Sequence, residues 1–167
     1  MHIVVKETIT ELRKQMKAQN IDAYLIVTDD FHGSEYVGDH FKCRAYMSGF
    51  TGSAGTLVVT QDMAGLWTDG RYFLQAGNQL AESGIDLFKM GEPGVPTVHE
   101  FIVGKLNEGQ VLGFDGRTVN AREAFALKKD LEEKGASVVY DKDLVGLVWT
   151  DRPALSAEPV TLLDEKY

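Results

Sequence analysis

RAYMSGFTGSAGTLVVTQDMAGLWTDGRYFLQAG, residues 44–77, holds a glycine turn, a strand hairpin and a helix start in one uninterrupted run. Gly49, Gly52 and Gly55 permit a tight bend free of side chains, because glycine adopts backbone angles closed to other residues. Thr56 to Thr60 (TLVVT) is a continuous apolar run of strand length. Ala64 to Thr68 (AGLWT) is its hairpin partner across Gln61-Asp62. Asp69-Gly70 then turns the chain into an amphipathic helix on which Arg71, Tyr72, Phe73, Leu74 and Leu80 alternate polar and apolar faces, with Gly84 as its stop.

Outward from this run, the same punctuation places the other elements. Thr8 and Glu11 have capping-box spacing ahead of a helix whose apolar face is Ile9, Leu12 and Met16 and which ends near Asn20. Ala23 to Val27 (AYLIV) is nearly continuous in apolar residues, as a strand covered on both faces would be. Strands follow at Ile85 to Lys89, Val111 to Phe114 and Ser137 to Tyr140. Between them, Thr97 and Glu100 form a second capping box before Phe101, Ile102 and Leu106. Asn120 and Glu123 open a helix carrying Phe125, Leu127 and Leu131 to a Gly135 stop, and Asp143 to Val148 adds a further helical turn or two. The alternation predicts an α/β fold.

The chain of 167 residues suits one well-buried domain, with 44% apolar and 25% charged residues. Residues 1–149 are expected to form that domain. Residues 150–167 begin with TDRPALSAEP, linker chemistry, and are expected to lead into a further domain. The formal net charge is -8, from 25 acidic and 17 basic residues, and the basic ones are not clustered; binding to nucleic acid through its phosphates is not expected. A single cysteine, Cys43, rules out an internal disulfide and any CxxC site. No apolar run approaches the roughly 18 residues of a membrane span, and the N-terminus lacks a signal-peptide apolar core, so the expected location is the cytoplasm, with no membrane partner.

Candidate chemistry is sparse. GFTGSAGT could cradle a phosphate, but it has no P-loop lysine, does not match GxGxxG, and leads into a strand instead of a helix N-terminus. Ser53 lacks the glycine two places before it that a nucleophile elbow needs. Asp29, Asp30, His32, Glu35, Asp39 and His40 supply enough oxygen and nitrogen donors for a divalent cation, yet their spacing fits neither an EF-hand nor HExxH. The bland alternative is a polar surface loop. A third reading is a loop that reaches across a subunit interface and ends in Arg44. His99 has no second histidine four places away and is expected to face solvent. Trp67 and Trp149, with Tyr72 and Phe73, are expected to pack in the core and at the domain boundary. Asp69 and Arg71 flank a turn, where an N-cap and a local ion pair compete with a role in binding substrate.

SGFTGSAGTLVVT followed by LWTDGRYFLQA resembles the amino-terminal domain of the Xaa-Pro aminopeptidases, in the creatinase/prolidase superfamily of pita-bread metallopeptidases. HGSEYVGDHFKCRAYMSGF before it, and PTVHEFI, VLGFD and LVGLVWTDRP after it, extend the resemblance over nearly the whole chain in the same order. The resemblance implies an α/β domain with a mixed β-sheet of about five to six strands flanked by helices on both faces, non-catalytic, whose parent enzyme removes an N-terminal residue preceding proline. Two metal ions, usually manganese, would lie in a separate carboxy-terminal domain. It implies a homodimer that acts on proline-containing peptides, with no catalytic, metal or cofactor residue in this chain. His32, Glu35, Tyr36, Asp39, Arg44, Asp69 and Arg71 are its expected substrate or interface contacts, Arg44 foremost because a guanidinium can hold a carboxylate or a carbonyl. Prolidase and creatinase relatives share the domain, and a free-standing binding module of the same fold is the competing reading.

Overall fold

The computed structural model describes residues 2–166. One sheet of six strands runs through it: β1 (Ala23–Ile26), β2 (Thr56–Thr60), β3 (Ala64–Thr68), β4 (Asp86–Lys89), β5 (Val111–Phe114) and β6 (Ser137–Val139), in the spatial order β4-β3-β2-β1-β5-β6. β2 is antiparallel to both β1 and β3, whereas the pairs β1/β5, β3/β4 and β5/β6 are parallel. All strands except β2 therefore point the same way. The segments that leave β1, β3, β5 and β6 emerge at one end of the sheet, together with the glycine turn that enters β2. Ligand sites of open α/β sheets lie outside the carboxyl ends of the strands.

The sheet separates two cores, because successive strand side chains point to opposite faces. Tyr24, Ile26, Leu57, Val59 and Leu66 pack on one side against Val5, Ile9, Leu12 and Met16 of α1 (His2–Ala18), Met47 of α2 (Cys43–Ser48), Ala76 and Leu80 of α3 (Phe73–Leu80), and Leu144 and Val145 of α6 (Leu144–Val148). Ala23, Leu25, Val58, Trp67, Leu112 and Phe114 pack on the other against Ile102 of α4 (Val98–Lys105), Leu106, and Leu127 and Leu131 of α5 (Ala121–Glu132). Helices on both faces are thus present, and β1 to β3 read as apolar runs because both of their faces are covered. The Tyr24 hydroxyl donates to the Lys142 carbonyl and accepts the Leu144 N–H, fastening α6 to the central strand.

Several local expectations need correction. α1 begins at His2, so Thr8 lies inside it and its hydroxyl donates to the Val5 carbonyl; the spacing from Thr8 to Glu11 is not a cap. Val5 extends the stripe of Ile9, Leu12 and Met16 by a full turn, and its burial carries the helix past Thr8. α3 starts at Phe73 behind Tyr72, not at Asp69-Gly70, and ends at Leu80 ahead of Gly84; Leu74 lies on its outer face. Phe125 is 71% exposed, because the seam of α5 is filled by Leu127 and Leu131 with Ala124 packed beside them. The stretch 28–44 is not loop throughout: a 3-10 turn spans Asp39–Phe41 and Arg44 belongs to α2. Thr97 and Glu100 do form a reciprocal capping box on α4, and Asn120 caps α5 through the Arg122 N–H.

Candidate functional site

The glycine turn 49–55 is organised around a cation. Arg44 is 3% exposed; its Nε donates to Thr28 Oγ1 at 2.9 Å, and its two terminal nitrogens donate to the carbonyls of Phe50 and Gly52. The guanidinium also lies 4.8 Å from the Phe50 ring centroid. Burial pushes it down to about 10, so it stays charged at neutral pH. The turn therefore aims carbonyls inward at a cation, the opposite polarity to a phosphate cradle, which presents N–H groups.

Other groups of the turn are tied to the domain too. The Thr51 N–H donates to Gln79 Oε1 at 3.0 Å, the Ser53 hydroxyl meets the Tyr72 hydroxyl at 2.8 Å, and the carbonyls of Ala54 and Gly55 accept from Thr68 and Thr28. Gly52 is fixed by packing: a Cβ there would lie 2.3 Å from Phe50 Cζ and 2.8 Å from Tyr72 Cδ1. Ser53 is thus a hydrogen-bonding partner of Tyr72, and that bond holds the phenol below its usual pKa. The expectation put Arg44 at an interface or on substrate; the structure buries its side chain and commits three of its five N–H donors to Thr28, Phe50 and Gly52 inside the domain. Sequence reasoning missed Thr28 and Gln79, which hold the turn from distant positions.

Beside the turn, on the surface at the same end of the sheet, lies a charged cluster. Arg71 grips Asp69 with Nε to Oδ1 and Nη2 to Oδ2, both at 2.9 Å, and its Nη1 lies 3.8 Å from Glu35 Oε1. Asp69 also accepts the Arg71 N–H, so its carboxylate closes the turn that precedes α3 and does not cap the helix. The bond to Arg71 holds Asp69 below the usual carboxylate range and raises Arg71 in return. Glu35, Asp69 and Arg71 are therefore brought together by the structure. Tyr36, 83% exposed, follows Glu35 in the same segment.

His32 and Asp39 stand apart from this cluster. His32 lies on a turn whose N–H bonds are collected by Asp30 Oδ1, which also accepts from Ser34; these bonds hold Asp30 below its usual value. Asp39 pairs with Lys42, and His40 Nδ1 faces the Pro153 carbonyl at 2.7 Å. His32 Nδ1 lies 3.8 Å from Asp30, whereas Glu35, Asp39 and His40 each meet a separate partner, and among the described residues no three His, Cys, Asp or Glu side chains gather in a group able to hold a metal ion. The residues present do not fit the metal pair of a pita-bread enzyme. His99, half-buried, meets Asp130 Oδ2 at 2.8 Å and so bridges α4 and α5 instead of facing solvent. Trp67 is fully buried beside Phe88, with ring centroids 4.0 Å apart, and Trp149 stacks on Tyr46 at 4.4 Å. No helix among the described residues is long and apolar enough to cross a membrane.

Comparison with known proteins gives a consistent match. The model of the Creatinase/Prolidase N-terminal domain family fits residues 9–152. Aminopeptidase P2 of Arabidopsis thaliana is 44% identical over 170 aligned residues, covering 99% of this chain and 24% of its own length. The X-prolyl aminopeptidase of Caenorhabditis elegans, a cytosolic enzyme with a di-nuclear active site, superposes with a TM-score of 0.88 at 38% identity over 96% of this chain and 28% of its own. The N-terminal domain of cytoplasmic peptidase PepQ from Mycobacterium tuberculosis gives 0.60 at 29% identity, covering 85% of this chain and 98% of its own. The chain spans about a quarter of the length of the curated aminopeptidases it matches. With the family model over most of its length and the sheet order in place, the chain belongs to the creatinase/prolidase N-terminal domain family.

Proposed function

We propose that this chain is the non-catalytic amino-terminal domain of a metal-dependent Xaa-Pro aminopeptidase, where it serves dimer assembly and substrate access. One observation carries the reading: the likeness to Xaa-Pro aminopeptidases covers 96–99% of the chain and is closer than the likeness to the peptidase PepQ domain. Residues 1–149 form the domain and 150–167 lead out of it. The metal ions, manganese by resemblance, are held by other residues of the enzyme, in the cytoplasm. The substrates are peptides with proline in second position, and the enzyme is a homodimer.

Within this reading Glu35, Tyr36, Asp69 and Arg71 are the contact face. They lie at the carboxyl end of the sheet, where Arg71 is held tightly by Asp69 at 2.9 Å and only loosely by the exposed Glu35 at 3.8 Å. Arg44 supports that face from within. In the whole enzyme, Glu35→Ala and Arg71→Ala are each expected to lower turnover of a proline-containing peptide by about tenfold or more, with melting temperatures near wild type. An enzyme that leaves such peptides intact, or whose turnover ignores both substitutions, overturns the proposal.

A further inference from the structure

The segment that leaves the domain is sewn to it. Trp149 stacks on Tyr46 of α2 with an interplanar angle of 8°. Three residues on, the Arg152 side chain is 8% exposed in a stretch of linker composition. Its Nη1 donates to Asp143 Oδ2 at 2.7 Å, and its Nε donates to the His40 carbonyl at 2.6 Å. Asp143 is held in turn: its Oδ1 accepts the Gly146 N–H that starts α6, and its Oδ2 also accepts from Arg117 at 3.0 Å, which is itself paired with Asp115. His40 closes the circuit from the other side, its Nδ1–H donating to the Pro153 carbonyl. Charge-assisted bonds of this kind are the strong ones, and a fork that meets two acceptors at once fixes direction as well as distance.

His40 is the middle residue of the 3-10 turn Asp39–Phe41, in which the Phe41 N–H donates to the Gly38 carbonyl and the Lys42 N–H to the Asp39 carbonyl. That turn ends the loop holding Glu35 and Tyr36. The loop is tied at its start by the Asp30 carboxylate, while Phe31 meets Phe41 edge to face at 4.8 Å. Between these two anchors residues 34–38 make no helix or strand.

We propose that Arg152 is a positioning residue: by joining the departing segment to the turn that closes the 29–42 loop, it makes the placement of Glu35 and Tyr36 depend on the seating of residues 149–153. The consequence for catalysis rests on the function proposed above; the coupling itself does not. A movement of the exit segment would reach the contact face through the His40 carbonyl, and a ligand that orders the contact face would tighten the exit.

The test is amide hydrogen exchange on the purified chain, comparing wild type with Arg152→Lys, Arg152→Ala and His40→Ala. Lysine keeps a cation for Asp143 but loses the fork that also reaches His40. The Phe41 and Lys42 amides are expected to exchange at least about tenfold faster in Arg152→Lys, with β2 and β3 amides unchanged. His40→Ala, which leaves the ion pair intact, should give a smaller change at the same two amides. Exchange at Phe41 and Lys42 within about twofold of wild type in all three variants, or acceleration of every amide together, overturns the coupling. In the whole enzyme, Arg152→Lys should raise KM for a proline-containing peptide at unchanged melting temperature. If the two amides respond while KM does not, Arg152 still couples exit to loop, and it is the assignment of the loop to substrate access that fails.

Discussion

Arg44→Met replaces a buried cation with an apolar side chain of similar length, and the outcome distinguishes a structural arginine from a contact residue. The substitution leaves the Phe50 and Gly52 carbonyls inside the domain without a donor, and Thr28 loses one of its two bonds. Each buried carbonyl left unpaired costs about 1–3 kcal/mol, so the pair costs about 2–6. Removing the cation gives back part of its desolvation, and the lost contact with the Phe50 ring takes away about 0.5–2 kcal/mol more. A net loss of about 3 kcal/mol is the expected result, a large share of the 5–15 kcal/mol that typically holds a domain together. It corresponds to a fall of roughly 10 °C in melting temperature at this chain length. Urea unfolding followed by Trp67 and Trp149 fluorescence measures it. Arg44→Lys should fall between the two, because an ammonium cannot reach the hydroxyl and both carbonyls in one geometry. An Arg44→Met protein within about 0.5 kcal/mol of wild type would refute the claim that the guanidinium organises the turn.

Two further outcomes follow from the charges of the surface and core. Asp62 is pushed down to about 2 by the Thr60 hydroxyl first and Lys105 second, from an ordinary 3.8, so its contribution to stability is full above pH 3.8 and is lost as pH falls through about 2. Asp62→Asn should flatten that part of the acid limb in a pH series of urea midpoints; an unchanged slope contradicts the assignment. Burial pushes the Cys43 thiol up to about 11 from 9.0, with Asp143 and Asp115 adding to it against Arg152. At pH 8 the thiolate is then about a hundredfold scarcer than for an ordinary cysteine, and labelling by a disulfide reagent should be slower by a similar factor. Labelling at the rate of a free thiol would show that Cys43 is open to solvent.

What could be read from sequence was local. The α4 cap lies entirely within Thr97 to Glu100, and the strands of the sheet centre announce themselves because both faces are covered. The same capping pattern at Thr8 misleads, since a threonine three places before a glutamate also fits a helix interior and only the burial of Val5 tells the two apart. Arg44 reads as a surface residue because arginine is almost never fully buried. Its acceptors are two carbonyls, which every sequence possesses and none displays. Phe125 reads as core because composition cannot rank apolar residues that compete for one helix seam. Arg152 sits in a stretch with the composition of a linker, while its partner His40 lies far away in the chain. Residues 29–44 and 69–71 could thus be singled out from sequence as candidate segments, and the wiring that joins Glu35 to Arg71 and His40 to Arg152 could not.

The measurement that bears most directly on the whole account is peptide turnover by the purified 167-residue chain supplied with manganese. The part proposed for this chain is architectural, with metal and chemistry elsewhere in the enzyme, so no release of the first residue from a peptide with proline in second position is expected. Turnover that scales with protein concentration and is abolished by a chelator would contradict it.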